Sequence, residues 1–138
     1  MPDRIFIDSN IFIYAKVQES GESKHEIAQK FLESVSGEII ISTQVLSEFY
    51  YVLNRYKIDD SIIQDSINEI LEDVTLRTIT LDTIKSCWKI KTRYRYSYYD
   101  SLIIASALEN NCSLLYSEDM QHEQLIHDEL RIMNPFKK

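Results

Sequence analysis

The chain has 138 residues, 44% hydrophobic and 27% charged, a length and balance that fit a single domain over residues 1–138 and exclude disordered and fibrous classes. Its formal charge of −7 has the wrong sign for phosphate binding by global attraction, so any nucleic-acid role must be local. Two glycines, Gly21 and Gly37, are too few for a dinucleotide fingerprint and too far apart for a P-loop.

In chain order, the apolar run Ile5-Phe6-Ile7 predicts a short buried strand closed by Asp8, followed by a helical turn through Ile11 to Tyr14. Ser23 and Glu26 have capping-box spacing ahead of Ile27, Ala28, Phe31 and Leu32, and Gly37 ends that helix. Ile39-Ile40-Ile41 predicts a second buried strand, with Thr43 as N-cap of a helix through Arg55. A further helix spans residues 60–73, and residues 75–80 alternate in strand fashion. Residues 81–93 predict a helix capped by Asp82, and 98–110 a helix apolar almost all round, the expected buried centre. Residues 113–116 and 130–133 predict the last two strands, with Pro135 ending regular structure.

Strands that alternate with helices and lack a polar face indicate an α/β class, a parallel sheet covered on both sides. Cys87 and Cys112 cannot complete a four-thiolate zinc site and fit core positions. The longest apolar run, Ile11 to Ala15, is too short to span a membrane, and Asp8-Ser9-Asn10 breaks up any signal-peptide core. The expected location is a reducing cytoplasm.

Ligands in such sheets bind beyond the carboxyl ends of the strands. Asp8 ends the first strand, Asp119 follows the fourth, and Asp100 opens the apolar helix. Glu48, roughly 300° around its helix from Val45, flanks the core stripe. Four carboxylates meeting there would carry about −4 and repel by several kcal/mol unless cations offset them. Oxygen ligands without His or Cys favour Mg²⁺ or Mn²⁺, and the chemistry that suits them is metal-assisted phosphodiester hydrolysis.

Four stretches carry a family likeness: Ile5-Phe6-Ile7-Asp8-Ser9-Asn10, Ser42-Thr43-Gln44-Val45-Leu46-Ser47-Glu48-Phe49, Tyr98-Tyr99-Asp100-Ser101-Leu102-Ile103-Ile104-Ala105 and Leu115-Tyr116-Ser117-Glu118-Asp119-Met120-Gln121. In these the chain resembles the PIN-domain nucleases, and among them the VapC-type toxin ribonucleases. The resemblance implies a three-layer α/β/α fold with parallel strands in the order 3-2-1-4-5 and metal-dependent cleavage of single-stranded RNA. It assigns the four acids to Asp8, Glu48, Asp100 and Asp119, with Asp8 and Asp100 as direct ligands and Asn10 and Ser117 as polar supporters. It also implies a homodimer and a partner antitoxin that blocks the acidic groove. Glu123 departs from the pattern, standing where related chains often carry a small residue.

Lys85, Lys89, Lys91, Arg93 and Arg95 form a run with no acid between Asp82 and Asp100, interleaved with Trp88 and tyrosines. Lys89, Lys91, Arg93 and Arg95 are candidate RNA contacts, with the rings as stacking platforms or packing groups. His122 and His127, five apart, diverge by about 140° on a helix and cannot share a metal. An aspartyl-nucleophile phosphatase would need a proton donor where Asn10 stands, and a receiver domain would need adjacent acids. A catalytically silent module on the same fold and an RNA-processing nuclease without an antitoxin are the alternatives.

Overall fold

The computed structural model describes residues 3–18 and 23–137; the expected domain limits, residues 1 and 138, lie outside the described residues. Among the described residues, six strands form one sheet in the order β3-β2-β1-β4-β6-β5. β1 (Arg4–Ile7) lies inside it because Ile5, Phe6 and Ile7 are buried and leave no polar face for water. It pairs in parallel with β2 (Glu38–Ser42), Phe6 opposite Ile40, and with β4 (Leu114–Tyr116), Phe6 opposite Leu115. β3 (Thr75–Arg77) extends the sheet beyond β2, and β6 (Leu130–Met133) beyond β4, both in parallel.

With β6 counted as fifth, this is the expected order, and the three-layer α/β/α class holds. The central sheet, from β3 to β6, is parallel throughout. Leu125–Ile126 forms an extra strand, β5, antiparallel to β6. His127 and Asp128 both have positive φ (51° and 55°), the backbone of a tight hairpin turn, and two residues are too few to show strand periodicity.

The helices are α1 (Ser9–Lys16), α2 (Lys24–Ser34), α3 (Thr43–Arg55), α4 (Asp60–Asp73), α5 (Leu81–Tyr94) and α6 (Tyr98–Glu109). α5 packs on α6, whereas α1 packs on α2 and α3, and α3 on α4. Residues Ser101 to Ala107 of α6 are all buried, as expected of the central helix. Cys87 and Cys112 are buried too, and burial pushes the Cys112 thiol up to about 12.

Three helix starts differ from expectation. Ser23 makes no side-chain capping bond, and Thr43 is the first residue of α3, with Ser42 in the cap position. The Thr43 hydroxyl instead accepts the Ile79 N–H at 3.3 Å. Thr80, rather than Asp82, caps α5 in a capping box with Thr83. β3 accordingly stops at Arg77, short of residue 80. Gly37 has φ +109°, and a Cβ there would lie 2.5 Å from the Asp3 carbonyl oxygen, the group that accepts the Glu38 N–H at 2.9 Å. A glycine is therefore what lets β2 start beside β1. Among the described residues no helix is long and apolar enough to cross a membrane.

Candidate metal centre

Asp8 leaves the sheet where β1 ends, its N–H still donating to the Tyr116 carbonyl at 2.9 Å. The residue caps α1: Oδ1 accepts the Ser9 N–H at 2.7 Å, and Oδ2 accepts the Ser117 hydroxyl at 2.8 Å. Burial outweighs both bonds and raises the carboxyl to about 7, with the charges of Glu48 and Asp100 adding to the shift.

Asp100 is the third residue of α6, and its N–H donates to the hydroxyl of the N-cap Ser97 at 3.2 Å. Its pKa is raised, by burial first and then by Asp119. Asp119 lies in the loop after β4, more exposed than the other two. Asn10 Nδ2 donates to its Oδ2 at 3.0 Å, while Asn10 Oδ1 accepts the Glu118 N–H at 3.4 Å. The Asp119 N–H donates to Ser117 Oγ at 3.3 Å. Asp8, Asp100 and Asp119 thereby bring one carboxylate oxygen each within 4.8 Å of the other two.

Glu48 stands beside this triad rather than in it. Ser9 links them, donating its N–H to Asp8 and its hydroxyl to Glu48 Oε1 at 3.2 Å. The Glu48 pKa is raised, mainly by burial, against hydrogen bonds from Ser9 and Gln44 that lower it. Glu118, although adjacent to Asp119, is engaged elsewhere: Tyr14 donates to it at 2.7 Å and Lys24 pairs with it. Its charge is locally balanced and the triad's is not.

All six expected site residues, Asp8, Asn10, Glu48, Asp100, Ser117 and Asp119, thus converge on one end of the sheet. Oxygen donors alone, mutually repelling and partly desolvated, fit a hard divalent cation. Lys89, Lys91, Arg93 and Arg95 lie outside the cluster, exposed on α5 and its C-cap. The C-terminal end of α5 leads through Tyr96 and Ser97 into α6 and Asp100, whereas Lys89 lies by Leu108 and Glu109 at the other end of α6. Tyr94 and Tyr96 are tied inward, their hydroxyls accepting the N–H groups of His127 and Gln121, each at 3.0 Å. His122 serves a turn, Nδ1 accepting the Asn134 N–H at 2.9 Å. His25 is half-buried, with Nδ1 2.8 Å from the Tyr14 carbonyl oxygen.

Sequence reasoning gave no role to Ser9, Gln44 or Ser97. Gln44 Nε2 donates to the Tyr99 carbonyl at 3.1 Å, joining α3 to the start of α6. Ser97 carries a readable signal, a serine three residues before an acid ahead of an apolar run. The Ser9 hydroxyl reaches Glu48 and the Gln44 amide reaches Tyr99, partners remote in sequence that leave no such signal. Beside the acids opens a cavity of about 670 Å³, lined by residues that include Gln44, Glu48, Tyr51, Tyr99 and Asp119.

No curated protein matches the chain. Among solved structures it is similar to the VapC20 toxin of Mycobacterium tuberculosis, described as cleaving the sarcin-ricin loop. That likeness has 21% identity and a TM-score of 0.67, covering 80% of this chain and 86% of that one. A toxin-antitoxin complex from Klebsiella pneumoniae matches with 18% identity and a TM-score of 0.72, covering 97% and 99%. VapBC2 of Rickettsia felis, bound to a promoter DNA fragment, matches with 18% identity and a TM-score of 0.65, covering 95% and 98%. At such identities these likenesses establish the fold. The family model described as the PIN domain matches residues 5–126, a span that contains all four acids, and the chain therefore belongs to the PIN-domain family.

Proposed function

We propose that this chain is a Mg²⁺- or Mn²⁺-dependent endoribonuclease that hydrolyses phosphodiester bonds of single-stranded or looped RNA, and that it is the toxin of a type II toxin-antitoxin pair. The observation that carries the reading is the carboxylate triad, drawn from a strand end, a helix start and a loop into a group within 4.8 Å. Desolvation raises Asp8 and Asp100, the cost of holding such a group together without a counter-charge.

Asp8, Asp100 and Asp119 would hold the ion. When bound, it supplies Lewis acidity and positive charge beside the phosphodiester. Ser117 and Ser9 fix the Asp8 carboxylate, and Asn10 fixes that of Asp119. Glu48 orients the attacking water and relays its proton, a role suited to a carboxylate beside the triad. Lys89, Lys91, Arg93 and Arg95 steer the phosphate backbone towards the acids, since the surface as a whole is negative.

The toxin assignment rests on the PIN-domain match and on the named character of the similar structures, a sarcin-ricin-loop-cleaving toxin, a toxin-antitoxin complex and a promoter-bound VapBC2. It carries with it an antitoxin partner, a homodimer and a cytoplasmic location. The test is cleavage of a labelled single-stranded RNA by the purified chain with Mg²⁺ or Mn²⁺, with chelator, and with Asp8→Asn and Asp100→Asn. Metal-dependent cleavage lost in both variants supports the reading; cleavage undiminished by chelator overturns it.

A further inference from the structure

The cavity beside the acids has two exposed aromatic rings on its rim, Tyr51 of α3 and Tyr99 of α6, which are 64% and 63% exposed. Neither ring belongs to the core, and each costs free energy in water that a stacking partner would recover. Ile13 and Val52 supply further apolar wall. The volume, about 670 Å³, lies within the roughly 300–1,000 Å³ typical of small-ligand sites.

Gln44 ties the helices of the two rings together: its side chain lines the cavity wall, and its Nε2 donates to the Tyr99 carbonyl. One turn along α3 from Tyr51, the Arg55 guanidinium lies 5.8 Å from the Tyr51 ring centre, and no carboxylate pairs with it among the described residues. Within the cavity wall itself the charged groups are Glu48 and Asp119, so a phosphate is repelled there and a neutral ring is not.

We propose that this cavity is a nucleobase subsite: one unpaired base next to the scissile phosphate sits against Tyr51 and Tyr99 and leaves its neighbouring phosphate to Arg55. The inference rests on the ribonuclease reading and adds to it a stacking platform for one base, tolerant of base identity because every base has a π-face. It also gives the strand a course, from the cations of α5 across the acids to α3.

The experiment is binding of single-stranded RNA octamers by the full chain with Ca²⁺ as the ion, each octamer abasic at one position. One abasic position is expected to weaken wild-type binding about tenfold, the scale of a lost base stack. Tyr51→Ala and Tyr99→Ala weaken the intact octamer similarly and are indifferent to that abasic position, while Tyr99→Phe behaves as wild type. Binding that ignores both tyrosines and every abasic position overturns the proposal; if an arginine-bearing amphipathic peptide then binds in a tyrosine-dependent way, the cavity is a protein groove. RNA bound with the expected tyrosine dependence yet uncut by Mg²⁺ or Mn²⁺ removes the hydrolytic reading and leaves the base subsite standing.

Discussion

The Ser117 hydroxyl donates to Oδ2 of Asp8 at 2.8 Å, although 109 positions separate the two residues. The bond joins the ends of the adjacent parallel strands β4 and β1, and Ser117 Oγ also accepts the Asp119 N–H at 3.3 Å. One hydroxyl therefore orients a buried carboxylate and anchors the loop that carries an exposed one. Ser117→Ala is expected to lower cleavage about tenfold, as loss of a supporting bond to a ligand does. Asp8→Asn and Asp100→Asn, which each remove a ligand charge, should lower it by more than about a hundredfold with the fold intact. Single-turnover rates at saturating Mn²⁺ rank the three, and a Ser117→Ala loss as deep as that of Asp8→Asn would contradict the ranking.

Asp8 links metal binding to stability. Burial first, then the charges of Glu48 and Asp100, raise its carboxyl from 3.8 to about 7, so between those values the folded chain holds a proton that the unfolded chain has released. Stability contributed by the protonated form is full below about pH 4 and is lost as pH rises through about 7. The penalty is on the order of a few kcal/mol. In the metal-free protein, Asp8→Asn should therefore raise Tm, by a margin that widens from pH 4 to pH 8. Mg²⁺ or Mn²⁺ at pH 8 should raise Tm of the wild type more than that of the variant. Thermal melts in chelator and in metal read both differences; a margin independent of pH would count against the buried carboxylate.

The exposed cations of α5 make a different prediction. Lys91→Ala and Arg93→Ala should weaken RNA binding across sequences and reduce the slope of log affinity against log salt by about one each, with metal affinity unchanged. Fluorescence anisotropy over a salt series measures the slope. An unaltered slope would mark the ridge as a solvated helix face.

Two backbone positions predict shifts of opposite sign. Gly37→Ala would place a methyl 2.5 Å from the Asp3 carbonyl at φ +109°, where β2 begins. It should cost about 1–3 kcal/mol. Glu123 has φ +70° in the loop leading to β5, a left-handed conformation that costs a residue with a Cβ and suits glycine. Glu123→Gly should be neutral or stabilising by up to about 1 kcal/mol. Urea melts of the two variants give the comparison.

Local pattern alone determined the strands through Ile5-Phe6-Ile7 and Ile39-Ile40-Ile41, the helices of residues 60–73 and 98–110, and the places where acids leave the sheet. Burial on both faces writes itself as an unbroken apolar run, and a buried helix as one without a polar side. The sequence could also name the acids, because strand ends and helix starts are where an α/β sheet gathers ligands. It could not show that three of them form a close triad with Glu48 alongside. Nor could it show that Ser9 joins the two, or that Gln44 reaches from α3 to Tyr99, or that Tyr51 and Tyr99 share one cavity. Those relations are hydrogen bonds and walls between segments tens of residues apart. Only the packing of α1, α3 and α6 around the end of the sheet decided them, since contacts across such separations leave no local period or spacing to read.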